Sequence, residues 1–163
     1  MHALIEQPYQ QLATRFRQGK LVHAIIVSAP SGVGKQKLVE LLGQFILCSH
    51  PNHQSQQPCF QCKTCLLVQA RTHPDFFRVT SDKSHIGIDA IRLVTGFIQK
   101  TAQLGNAKVV ILPEVDDLTE SAANALLKTL EEPTDNSFLL MTTADVGKLL
   151  PTIVSRCQVM QLK

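Results

Sequence analysis

Residues 23–36 read His-Ala-Ile-Ile-Val-Ser-Ala-Pro-Ser-Gly-Val-Gly-Lys-Gln. The first six, His23–Ser28, form a nearly continuous apolar run, which predicts a strand covered on both faces. From Lys35 to Cys48 the spacing changes: Leu38, Leu41, Leu42, Phe45 and Ile46 share one helical face. A strand, a glycine turn ending in Gly-Lys, and a helix make up a phosphate-binding loop. Its backbone N–H groups and lysine cradle phosphate oxygens at the helix N-terminus. Gly32, Gly34 and Lys35 keep those parts. Ala29 stands in place of the first glycine, and Gln36 in place of the hydroxyl residue that holds magnesium. A plain tight strand–helix turn would use the same glycines.

Further along, apolar runs recur at Phe76–Val79, Lys108–Leu112, Phe138–Thr142 and Gln158–Leu162. Helical spacing separates them. Asp89–Gln103 aligns Ile91, Val94, Ile98 and Ala102, and Ser121–Leu130 aligns Ala122, Ala125, Leu126 and Leu130. Another helix is expected at Glu6–Gln18. Gly19, Gly105 and Pro133 supply stops, and Thr119 is a fitting N-cap. Strands alternating with helices imply parallel strands and right-handed crossovers. The expectation is an α/β domain: a five-stranded parallel sheet flanked by helices, spanning residues 1–163.

The second magnesium position tests the catalytic reading. An apolar strand in an active nucleotide hydrolase ends in a carboxylate that organises the ion. Here Val109-Val110-Ile111-Leu112 runs into Pro113-Glu114, with Asp116 and Asp117 later. Proline cannot ligate a cation. With Gln36 also unsuited, most of the electrostatic stabilisation of phosphoryl transfer is missing. The chain is therefore expected not to hydrolyse ATP by itself, and its affinity for ATP is in doubt.

Three of five cysteines fall in Cys59-x-x-Cys62-x-x-Cys65, and Cys48 lies upstream across the polar, turn-rich stretch 49–58. This looks like an insertion, 48–66, with its own organising force. Cys-x-x-Cys spacing lets two sulfurs reach one tetrahedral ion at about 2.3 Å. Cys48, Cys59, Cys62 and Cys65 are thus the expected ligands of one structural zinc. An iron–sulfur cluster and free thiols are the alternatives, and His50 and His53 are possible substitute ligands. Cys157 reads as a small apolar residue near the last strand.

Composition bounds the classes. The 163 residues are 44% apolar and 18% charged, with a net charge of +3. Residues 1–81 carry +5 and residues 82–163 carry −2. There is no basic stripe of the kind a stand-alone DNA reader shows. No apolar run approaches the roughly 18–20 residues of a bilayer span, and no secretory signal is visible. An odd cysteine count without such a signal fits a reducing, cytoplasmic compartment.

Taken together, these residues resemble the δ′ family of bacterial DNA polymerase III clamp-loader subunits, which are AAA+ proteins. The resemblance rests on His23–Lys35, the Cys48–Cys65 insertion, Thr72-His73-Pro74-Asp75, Ala122-Ala123-Asn124-Ala125-Leu126-Leu127-Lys128-Thr129-Leu130-Glu131-Glu132-Pro133 and Ser155-Arg156-Cys157. It implies an AAA+ core with strand order 5-1-4-3-2. The lid and collar domains of that family would follow the core and have no counterpart in these residues. It also implies a stator role at one end of a five-membered arc that opens the sliding clamp and places it on primed DNA. The implied partners are the γ/τ motor subunits and δ. Arg156 matches the arginine finger offered to a neighbour's ATP, and Thr142 or Thr143 matches the sensor position.

Two other functions compete. An active P-loop ATPase or kinase is disfavoured by Gln36 and Pro113. A zinc-module nucleic-acid binder is disfavoured by the absence of clustered Lys/Arg with interleaved aromatics.

Overall fold

β1 (Ala24–Ser28) is buried at every position, because a strand lies on each side of it and helices cover both faces. The computed structural model describes residues 3–80, 85–105 and 107–162; Met1 and His2, where the signal-peptide reading begins, lie outside these. Along the chain come α1 (Ala3–Arg17), β1, α2 (Lys35–Leu47), α3 (Lys63–Gln69), β2 (Phe76–Arg78), α4 (Ile88–Gln99) and β3 (Lys108–Leu112). They are followed by α5 (Glu120–Glu131), β4 (Ser137–Thr143), α6 (Pro151–Val154) and β5 (Gln158–Gln161). The strands form one parallel sheet in the order β2-β3-β4-β1-β5, the order the resemblance implied.

Alternate residues of each strand feed two cores. Ile25, Val27, Val109, Ile111 and Leu140 face α1 and α2, whereas Ile26, Val110, Leu112, Leu139 and Met141 face α4, α5 and α6. This is why the strands read as unbroken apolar runs. Each fully buried Leu or Ile contributes about 1.5–3 kcal/mol of transfer free energy. Gly43 lets α2 lie close on the sheet: a methyl there would stand 2.8 Å from Phe76 and 3.0 Å from Val109.

Two elements differ from the sequence reading. The helix expected at Asp89–Gln103 ends at Gln99. The chain leaves it early because the fully buried Asp75 carboxylate accepts the backbone N–H groups of Gln103 (2.7 Å) and Leu104 (2.8 Å). Lys108 Nζ donates to the Phe97 carbonyl at 2.6 Å, satisfying the last turn of α4. The cysteine insertion, read as 48–66, contains the start of α3, which runs on to Gln69. Cys62 caps that helix, its sulfur accepting the Cys65 N–H at 3.4 Å. The Thr119 cap of α5 stands as read, its hydroxyl accepting the Ala122 N–H at 3.2 Å.

Candidate functional site

The phosphate loop follows from its glycines. Gly32 and Gly34 adopt φ of 85° and 109°, conformations a side chain would strain, and Gly34 opens α2 without a side-chain cap. Lys35, at the first turn of α2, does not project into open space. It is 5% exposed, its Nζ donates to the Ala29 carbonyl at 2.8 Å, and it lies 3.3 Å from Glu114 Oε1. Glu114 follows β3 with φ of 51°, and its backbone N–H donates to Thr142 Oγ1 at 3.0 Å. The loop, the end of β3 and the expected sensor position on β4 are thus tied together by groups of the chain itself. Gln36 is turned outward, its amide 3.4 Å from Glu40 Oε1. Glu40 in turn accepts from Arg78 Nε at 2.9 Å. Asp116 and Asp117 sit on the 3-10 turn Val115–Asp117. Thr142 and Thr143 are both fully buried, and the Thr143 hydroxyl accepts the Asp145 N–H at 3.2 Å. The lysine's partner, Glu114, was missed in the sequence; the only signal was an acid just beyond an apolar strand.

Arg156 follows α6 at an outer corner. Its guanidinium makes an ion pair with Glu131 at 3.0 Å and donates to the Thr152 carbonyl at 2.9 Å. The two charged side chains are 38% and 45% exposed, so the pair contributes at most about 1 kcal/mol. Glu131, the last residue of α5, is the partner of this arginine. Cys157 beside it is half-buried against the α4–α5 core, and burial pushes its thiol up to about 11.

The four remaining cysteines converge. The sulfurs of Cys48, Cys59, Cys62 and Cys65 all lie within 4.8 Å of one another, with Cys48–Cys62 at 3.9 Å and Cys59–Cys65 at 4.0 Å. Tetrahedral thiolates at about 2.3 Å from one ion stand about 3.8 Å apart, so the spacing fits a single four-coordinate metal. It is too wide for a disulfide. Backbone N–H groups also point at the sulfurs: Cys59 donates to Cys48 Sγ at 3.3 Å, and Cys62 to Cys59 Sγ at 3.2 Å. Burial pushes the Cys48 thiol up to about 12 and also raises Cys65. At Cys62 burial is outweighed by the Thr64 hydroxyl, 2.9 Å from its sulfur, and by backbone donors, and its thiol falls to about 5. Four sulfurs this close can all be ionised only around a cation. His50 and His53 are outside the cluster. The His53 carbonyl instead accepts from Arg17.

The loop before the cluster is pinned to α1. Tyr9, fully buried, donates its hydroxyl to the Gln56 carbonyl at 2.7 Å. The Gln56 amide donates to Gln10 Oε1 (2.7 Å) and Thr14 Oγ1 (2.8 Å). Nothing in the polar run 49–58 singled out Gln56.

A family profile described as DNA polymerase III, delta subunit, matches residues 5–163. The chain belongs to this family. Among its curated relatives, the DNA polymerase III subunit delta' of Haemophilus influenzae is 41% identical over 155 residues, covering 94% of this chain and 46% of that protein. The subunit delta' of Escherichia coli is 38% identical over 152 residues, covering 92% and 45%. The chain thus spans a little under half the length of the relatives it matches. Among solved structures, a gamma subunit-related protein of Thermotoga maritima superposes with a TM-score of 0.68 at 22% identity, covering 95% of this chain and 45% of that one. The RuvB protein of the same organism gives 0.58 at 14%. These likenesses show the P-loop fold that the family shares. Among the described residues no helix is long and apolar enough to cross a membrane.

Proposed function

We propose that this chain is the AAA+ core of a clamp-loader subunit that does not hydrolyse ATP itself. It acts as a stator, carries one structural zinc, and lends Arg156 to the ATP of a neighbouring motor subunit. Its partners on this reading are the γ/τ and δ subunits and, through the assembly, the sliding clamp and primed DNA, in the cytoplasm.

The observation that carries the reading is Lys35 turned inward, held by the Ala29 carbonyl and Glu114. A phosphate would have to displace Glu114, and no hydroxyl at residue 36 or carboxylate at residue 113 is present to bring magnesium. Arg156 has the opposite character. Its pair with Glu131 is weak and half-exposed, so a phosphate oxygen can compete for a guanidinium that donates two parallel hydrogen bonds. The Cys48, Cys59, Cys62 and Cys65 thiolates would hold the zinc, whose contribution is a cross-link that adds folding free energy.

The test is phosphate release by the isolated chain with ATP and Mg²⁺, together with native mass spectrometry. The expected result is background turnover and one zinc per chain. Turnover well above background would overturn the non-hydrolysing role, and a chain purified without metal under reducing conditions would overturn the zinc.

A further inference from the structure

The guanidinium of Arg156 rests on acceptors from two different elements. Nη1 donates to the Thr152 carbonyl at 2.9 Å and lies 3.4 Å from Ser155 Oγ. Nη2 pairs with Glu131 Oε1 at 3.0 Å. The backbone under the side chain is fixed. The N–H groups of Ser155, Arg156 and Cys157 donate to the carbonyls of Pro151 (2.9 Å), Ile153 (3.0 Å) and Val154 (3.2 Å), which prolongs the turn of α6. Ile153 holds that turn in the core beneath α4 and α5. Glu131 is the last residue of α5, which buried Leu126 and Leu130 anchor in the same core. Arginine and carboxylate are thus brought together at the surface by two packed helices.

The two contacts differ in kind. The Thr152 carbonyl is neutral and belongs to the turn that carries the arginine. Glu131 comes from another helix and offers what a phosphate offers, a negatively charged oxygen for a guanidinium N–H. A carboxylate oxygen and a phosphate oxygen cannot share one N–H, and they repel each other. We propose that Glu131 is a positioning residue for Arg156. It holds the guanidinium against the end of α5 until a neighbour's phosphate takes its place, while the Thr152 carbonyl keeps Nη1. The proposal rests on the finger reading above and adds a resting state to it. Because the pair is half-exposed, it holds the arginine by a small factor only. A phosphate placed for bidentate contact wins the arginine, and one in a loosely closed interface does not.

The test is ATP hydrolysis by the assembled loader, with and without clamp and primed DNA. It compares full-length wild type with Glu131→Gln, Glu131→Ala, Arg156→Ala and the double variant Glu131→Gln/Arg156→Ala. Without clamp and DNA, Glu131→Ala should raise the rate by up to about fivefold. Glu131→Gln should raise it less, because the amide oxygen still accepts a hydrogen bond but carries no charge. With clamp and DNA the ratio to wild type should shrink toward one, since the closed interface already holds the arginine. Beside Arg156→Ala, Glu131→Gln should change nothing, because its effect passes through the arginine. A lower or unchanged unstimulated rate in both single Glu131 variants overturns the resting role and leaves the finger standing. So does a rise that persists beside an Arg156→Ala that has itself lowered the rate. Arg156→Ala at the wild-type rate under both conditions overturns the finger and the resting role together.

Discussion

The ammonium of Lys35 lies 3.3 Å from Glu114 Oε1, across the gap between the start of α2 and the end of β3. A lysine placed to meet phosphate instead meets a carboxylate of its own chain. Removing that carboxylate releases only a roughly 1 kcal/mol interaction, because Glu114 is 42% exposed and water screens the pair. Glu114→Ala should therefore raise ATP affinity by up to about fivefold in calorimetric titration, with turnover still at background. Affinity that falls, or magnesium-dependent hydrolysis that appears, would count against Glu114 as the group that occupies the lysine.

Cys62→Ser removes one of four sulfurs held within 4.8 Å of one another. The chain should lose its metal and melt at lower temperature, since structural zinc contributes folding free energy directly. The far-ultraviolet circular dichroism of the sheet should persist, because α3 gives the two cores that flank it only Val68. Full metal content with unchanged melting would refute the ligand assignment.

Tyr9→Phe deletes the hydroxyl that reaches the Gln56 carbonyl at 2.7 Å. The loss should be about 1–2 kcal/mol, or roughly 2–6 °C in melting temperature for a chain of this size. The cost should shrink once the metal is stripped, because the loop that Tyr9 pins is then loosened already. Equal costs with and without metal would mean that α1 and the cysteine loop are not coupled.

Asp75→Ala leaves the N–H groups of Gln103 and Leu104 without their acceptor. Destabilisation of about 2–4 kcal/mol is expected in denaturant unfolding, with Asp75→Asn milder because one carbonyl oxygen remains. A neutral Asp75→Ala would show that the chain after α4 is held by other contacts.

The strands were legible because burial on both faces leaves an apolar run with little room for another reading. Thr119 was legible as a cap because its bond is local, to Ala122. The convergence of the four cysteines was legible because coordination geometry is encoded in their spacing, and their sulfurs do lie together. What stayed hidden depends on contacts distant in sequence. The end of α4 is set by Asp75, and Lys35 is claimed by Glu114; neither pairing leaves a local trace. Gln44, Gln56 and His73 are ordinary polar residues by pattern, and only their burial marks them. The outward place of Arg156 was expected, but its rest on Glu131 was not.

The central claim is a division of labour within one chain: an inert phosphate loop and a working arginine. ATP hydrolysis by the assembled loader, stimulated by clamp and primed DNA, tests it most directly with two full-length variants side by side. Lys35→Ala should leave the rate near wild type if, as proposed, Lys35 takes no part in hydrolysis. Arg156→Ala should assemble normally but lower the rate, and Arg156→Lys should rescue little, because an ammonium lacks the planar fork. A sole arginine finger is worth about 10³–10⁵ at its own site. The complex as a whole should fall by less if, on the proposed reading, other subunits bring fingers of their own. If Lys35→Ala collapses the rate while Arg156→Ala leaves it unchanged, the roles assigned to the two residues are wrong.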